Sequence, residues 1–110
     1  MAIKRLAILQ SSYIPWKGYF DIIRAVDHFI LYDDAQYTKN DWRNRNRIKT
    51  ATGLCWLTIP VHLGGRFGQA IKDVEVADPR WAVKHWKSLT THYAKARFAS
   101  DLFGLLSNCY

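Results

Sequence analysis

Long apolar runs are missing from this sequence. After Lys4 and Arg5 only Leu6–Leu9 is uniformly apolar, too short for a signal-peptide core, and nothing approaches the roughly 20 apolar residues of a membrane helix. A soluble chain without membrane insertion is expected. Cysteine is scarce: Cys55 and Cys109 are the two present, with no CxxC pair. That argues against a disulfide-stapled scaffold and fits a reducing, cytoplasmic setting. Cys55, inside the apolar run Leu54–Val61, is expected to be a small core residue. No two of His28, His62, His85 and His92 show zinc-site spacing with a third ligand, so no structural metal is expected. Repeats, low-complexity tracts and a P-loop are also lacking. Acidic residues are in the minority, nine against sixteen Lys and Arg. The net charge of +7 favours an acidic partner, whether nucleic acid, phosphorylated metabolite or anionic membrane.

What is present fits one α/β domain over residues 1–110, with 49% hydrophobic residues and enough aromatics for a small core. Leu6–Gln10 reads as a buried strand, Gly18–Val26 has helical spacing (Phe20, Ile23, Val26), and His28–Tyr32 reads as a second strand. Strand, helix, strand predicts a parallel βαβ unit. Arg45–Lys49 and Leu54–Val61 form a candidate hairpin across Thr50–Gly53, and Ile71–Val76 a further strand. His62–Gly68 is a glycine-rich loop. Asp78-Pro79 predicts a helix start, with the helix running to about Ala96, and Ser100–Ser107 is a last helical piece. The chain ends while still apolar, which suggests a longer protein or a partner covering that end; a homo-oligomer is admitted.

Three groups of residues carry candidate chemistry. Ligands of parallel βαβ units sit at the carboxyl ends of strands, here Gln10–Gly18. Backbone N–H groups at the helix start, the charge of Lys17 and donors from Ser11, Ser12 and Tyr13 suit a phosphate or carboxylate, and Gly18 permits close approach. The dipole contributes only about 0.3–1 kcal/mol, whereas micromolar binding needs about 8 kcal/mol, so the loop cannot be the whole site. The second strand ends in Asp33-Asp34, followed by Gln36 and Tyr37; such carboxylates accept hydroxyl protons, bind sugar hydroxyls or hold a metal. Neighbouring residues on a strand face opposite ways, so one aspartate is expected at the site and the other in an ion pair or turn. Finally, Arg43, Arg45, Arg47 and Lys49 alternate, with Trp42, Asn44 and Asn46 among them. If extended, the four cations share one face and span roughly 20 Å. On the long helix, His85 and His92 lie seven residues apart, where an imidazole is a candidate general base or a structural group.

Taken together, LAILQSSYIPWKGYFDII (Leu6–Ile23), FILYDDAQYTKNDWRNRNRIKT (Phe29–Thr50), WLTIPV (Trp56–Val61) and KHWKSL (Lys84–Leu89) resemble the WbqC-like protein family, in order over nearly the whole chain. Ser11-Ser12 departs from the family's usual Pro-Asn, and members typically run about twice as far, which makes this chain the expected N-terminal part of one. The resemblance implies bacterial cell-surface polysaccharide work, chiefly O-antigen or lipopolysaccharide biosynthesis. It implies transfer onto an activated sugar, including attachment of an amino-acid or acyl group. The residues it carries over are Gln10, Tyr13, Pro15, Trp16, Gly18, Asp33, Asp34, Gln36, Tyr37, Trp42, Arg43, Asn44, Arg45, Asn46 and His85. A second likeness is to nucleotidyltransferase-type, Rossmann-like folds. Trp16-Lys17-Gly18-Tyr19 occupies the place of their His-x-Gly-His turn, without either histidine.

The leading expectation is therefore a transferase on a nucleotide-linked or phosphate-bearing sugar. Asp33, Asp34 and His85 are its candidate catalytic groups. Gln10, Tyr13, Trp16, Lys17, Gly18, Gln36, Tyr37, Trp42, Arg43, Asn44, Arg45 and Asn46 are its candidate binding groups. The need for a cofactor such as Mg²⁺ is left open. The competing expectations are a single-stranded nucleic-acid module, which aromatics among cations would suit although RNP, KH and helix-turn-helix signatures are absent, and a non-catalytic scaffold.

Overall fold

The computed structural model describes residues 2–110. Strand β1 (Leu6–Leu9), helix α1 (Lys17–Ala25) and strand β2 (His28–Leu31) come first, with β1 and β2 parallel and Leu6 opposite His28. The βαβ reading thus holds, with β1 one residue shorter than Leu6–Gln10, but the strand is not buried: Leu6 and Ile8 are half exposed, because β1 and β2 stand as a two-stranded sheet of their own. Backbone bonds at both ends fix the pair: the Asp27 and His28 N–H groups donate to the Arg5 carbonyl, and the Tyr32 N–H to that of Leu9. The face α1 turns to the sheet is led by Tyr19, which is buried and meets Phe29 edge-on at 5.6 Å. Phe20, expected on that face, is 56% exposed instead.

The hairpin forms as β3 (Arg45–Thr50) and β4 (Gly53–Thr58), antiparallel, with Thr50 opposite Gly53. Gly53 takes φ +126°, a conformation open to glycine and poor for other residues. The Thr50 hydroxyl donates to the Gly53 carbonyl at 2.7 Å and closes the turn. The two strand pairs form separate two-stranded sheets, so the architecture is mixed α/β with one parallel pair and one hairpin.

Helix α2 (Trp81–His92) lies against β3, and α3 (Ala99–Leu106) follows. Ile48, 3% exposed, and Leu57, 6% exposed, are among the most buried side chains, with Tyr37, Ala99 and His85. Among the described residues, no helix is long and apolar enough to cross a membrane.

Several expectations are corrected. Ile71–Val76 is not a strand: Ile71–Asp73 is a 3-10 turn, and an isolated bridge joins Val61 to Val76. Residues 69–72 run along the segment after β2 instead, where Tyr37, Ile71 and Lys72 donate backbone bonds to Gln69, Ala35 and Asp33. The long helix begins at Trp81, because the Asp78 carboxylate accepts the Arg80 N–H and side chain in a tight turn. It ends at His92, where the chain turns and the Tyr93 hydroxyl accepts the Lys49 N–H at 2.8 Å. Cys55 is exposed rather than core, because α2 packs on β3 and leaves that part of β4 uncovered.

Candidate functional site

The loop between β1 and α1 is held by side chains distant in sequence. Asp33, just past β2, accepts the Ser11 N–H at 2.9 Å and the Ser11 hydroxyl at 2.5 Å. Arg43 donates to the Ser11 carbonyl at 2.7 Å. Asn46 donates to the carbonyls of Tyr13 and Ile14, while the Tyr13 N–H donates to the Trp42 carbonyl at 3.1 Å. These bonds hold Ile14 at φ +47°, an uncommon state for a β-branched residue that persists only where surrounding contacts enforce it. Burial and the neighbouring Asp33 carboxylate both push the Tyr19 phenol up from its ordinary value.

Beside this loop is a cavity of about 370 Å³ lined in part by Gln10, Ser12, Trp16, Tyr19, Tyr32 and Arg43. The Arg43 Nε, like that of Arg45, is buried without a hydrogen-bond partner, and it lies 3.8 Å from the Asp41 carboxylate in an ion pair. Arg43 brings a positive charge to the wall of this cavity, which suits an anion. A narrower cleft of about 360 Å³, lined by Pro15, Trp16, Trp42 and Asn46, shares Trp16 with the first.

The other candidate residues lie apart. Strand β3 begins only at Arg45, so Arg43 is not in register with the row of cations. Arg45 stacks 4.1 Å over Trp56 and donates to the Asn40 carbonyl. With Tyr37, Lys39 and Asn44 it lines a separate cavity of about 250 Å³. Tyr37 donates to the Asn44 amide oxygen at 3.0 Å, and burial raises its phenol pKa. Gln36 is exposed and bridges Ala70. Lys17 pairs with Asp21 on the helix surface at 2.8 Å. Gly18 lies beneath the Trp16 indole, whose ring stands where a ligand was expected to approach.

Asp34 pairs with Lys72 in an exposed ion pair. Such pairs contribute about 0–1 kcal/mol, so Asp34→Ala is expected to shift the melting temperature by no more than a few degrees in calorimetry. A large loss would mean that Asp34 has a further partner.

His85 is buried on α2, and its ring nitrogens are both engaged. Nε2 is 3.1 Å from the Thr58 carbonyl, which can only accept, so Nε2 carries the proton. Nδ1 then accepts from the Tyr13 hydroxyl at 2.8 Å, leaving that oxygen to accept from Tyr110 at 2.7 Å. Burial lowers the His85 pKa and raises that of Tyr13. The trio is thus a neutral chain of hydrogen bonds, next to an apolar cavity of about 500 Å³ lined by Tyr13, Trp81, Leu89 and Tyr110 among others.

Sequence reasoning passed over Tyr19, Tyr32, Trp56 and Tyr110. Trp56 alone had a signal: counting across the Thr50–Gly53 turn sets it opposite Arg47, in cation-π range on its face of the hairpin. Among the described residues, no three His, Cys, Asp or Glu side chains are grouped as metal ligands.

A family model described as WbqC-like protein family matches residues 10–110. An uncharacterized protein, Rv1507c of Mycobacterium tuberculosis, is 51% identical over 108 residues, 98% of this chain and 47% of the relative. The chain thus spans about half the length of that relative. No solved structure matches it significantly.

Proposed function

The chain belongs to the WbqC-like protein family, and from that premise we propose that it serves cell-surface polysaccharide biosynthesis as part of a transferase acting on a nucleotide-linked or phosphate-bearing sugar. The polysaccharide role rests on the family resemblance. The anionic substrate rests on one observation above all: Arg43 reaches the carboxyl end of β1, donates to the Ser11 carbonyl and lines a cavity there. That end of a βαβ unit is where nucleotide-type ligands bind in Rossmann-like folds, and this likeness is part of the proposal. The cavity size is within the range of small-molecule sites, about 300–1,000 Å³. Ser12, which lines the same cavity, would complete the phosphate contacts. In this reading Asp33, with both oxygens engaged by Ser11, positions the loop. The transferred group is an aminoacyl or acyl unit.

Titration calorimetry with nucleoside diphosphate sugars tests the reading. Arg43→Ala is expected to weaken binding about 30-fold, the equivalent of one charge-assisted hydrogen bond near 2 kcal/mol. Arg43→Lys should restore only part of it, since a single ammonium cannot hold Ser11 and a phosphate in the guanidinium's geometry. Length-dependent, salt-sensitive binding of single-stranded RNA with indifference to sugar nucleotides would replace this reading with the nucleic-acid one.

A further inference from the structure

Resting on the anion-site reading above, we infer that the cleft shared by Trp16 and Trp42 holds the base of a nucleoside diphosphate by stacking and does not read the base's identity. Three observations carry this.

The first is adjacency. Trp16 lines both the Arg43 cavity and the indole cleft, so a ligand with its phosphates at Arg43 extends past Trp16 into the second space. The second is the build of the two indoles. Trp42 packs against Trp56 at 5.7 Å between centroids, and the Arg45 guanidinium covers Trp56 in turn. This column holds Trp42 firmly while leaving it 44% exposed. Trp16, 67% exposed, lies across the start of α1, a position only glycine at 18 allows, since a Cβ there would stand 1.6 Å from the ring. A large aromatic left uncovered against a glycine offers its free face to another flat group.

The third is what the cleft lacks. Its amide, Asn46, is fully committed: its nitrogen serves the Tyr13 and Ile14 carbonyls and its oxygen accepts the Arg47 N–H at 2.7 Å. Pro15 offers no N–H. A pyranose ring, bordered by hydroxyls, would find only the two indole N–H donors there. A planar base can place its face against an indole and leave its edges in water, and every base has such a face.

The test compares inorganic pyrophosphate, glucose 1-phosphate, UDP and GDP by calorimetry and tryptophan fluorescence. UDP and GDP are expected to bind about 5- to 150-fold more tightly than pyrophosphate, matching about 1–3 kcal/mol per stacked base, and to lie within about tenfold of each other. Trp16→Ala should collapse the UDP-to-pyrophosphate ratio towards one. Gly18→Ala, which displaces the indole without removing it, should reduce the ratio while shifting the fluorescence. Glucose 1-phosphate matching UDP would overturn the inference in favour of a sugar ring, as would a nucleotide advantage that survives Trp16→Ala. Arg43-dependent pyrophosphate binding with no gain from a base sinks this inference alone. Failure of every probe sinks the anion site with it.

Discussion

Asp33→Ala is expected to melt roughly 12–24 °C below the unchanged chain. Two hydrogen bonds to one carboxylate are lost, each worth about 1.5–3 kcal/mol when the group is charged. Part of that returns as water solvates the freed Ser11 groups, leaving about 3 kcal/mol, and a domain near this size moves by about 4–8 °C per kcal/mol. The effect is large because Asp33 ties the end of β2 to the loop that follows β1, and Arg43 grips the same serine from the other side. Ligand affinity should fall together with stability. Asp33→Asn, which keeps one acceptor for the Ser11 N–H, should recover a good part of the melting temperature. If the alanine variant melts within 3 °C of the parent, the carboxylate does not organise this loop. Asp34→Ala, beside it and exposed, is the internal control.

The second large effect concerns His85. Truncation to alanine leaves a void at a 6% exposed site and strips a donor from the Thr58 carbonyl and an acceptor from the Tyr13 hydroxyl. The expected cost is about 2–3 kcal/mol. The imidazole also makes stability depend on pH. Burial depresses its pKa in the folded state below the ordinary 6.5, so the unfolded chain takes up the proton first. Its contribution is therefore full above about pH 6.5 and is lost as the pH falls towards the folded value. His85→Gln can still donate to Thr58 and accept from Tyr13 but does not titrate in this range. Melting curves at pH 7 and pH 5 should show a steeper acid loss for the parent than for the glutamine variant. Equal slopes would mean that His85 is not held neutral by the fold.

This hydrogen-bond chain bears on how the histidine works. Nδ1 is occupied by Tyr13, and the proton on Nε2 faces a backbone carbonyl. Both nitrogens are engaged in this arrangement, and through Tyr13 the imidazole ties α2 and β4 to the first loop as a strut. The loop geometry that sets Trp16 and Pro15 depends on that strut on one side and on Asn46 on the other.

The extent to which the sequence was legible differs sharply between elements and contacts. Leu6–Gln10, the spacing of Phe20, Ile23 and Val26 and the run from His28 to Tyr32 announced a parallel βαβ unit, because apolar periodicity and short connections leave few alternatives, although Tyr19 rather than Phe20 is the residue buried against the sheet. The hairpin across Thr50–Gly53 was equally visible, since glycine and flanking strands are neighbours along the chain. The row of cations was visible as a row, but not its division. Arg43 lies in the turn before β3 and swings to Ser11, whereas Arg45 lies in the strand and faces Trp56. Two residues of separation across the start of a strand sent two similar side chains to different cavities.

Sequence by itself determined the parallel βαβ unit, the hairpin and the excess of positive charge, because each of these depends on neighbours within a few positions or on a sum over the chain. The tertiary structure decided which of them meet: Ser11 with Asp33 across 22 positions, Tyr13 with His85 across 72. It also decided that Arg43 lines the cavity at the end of β1 and that Trp16 lies on Gly18. Such pairings follow from the path of the whole backbone, and a path fixed by burial and packing leaves no periodic trace in the residues it brings together.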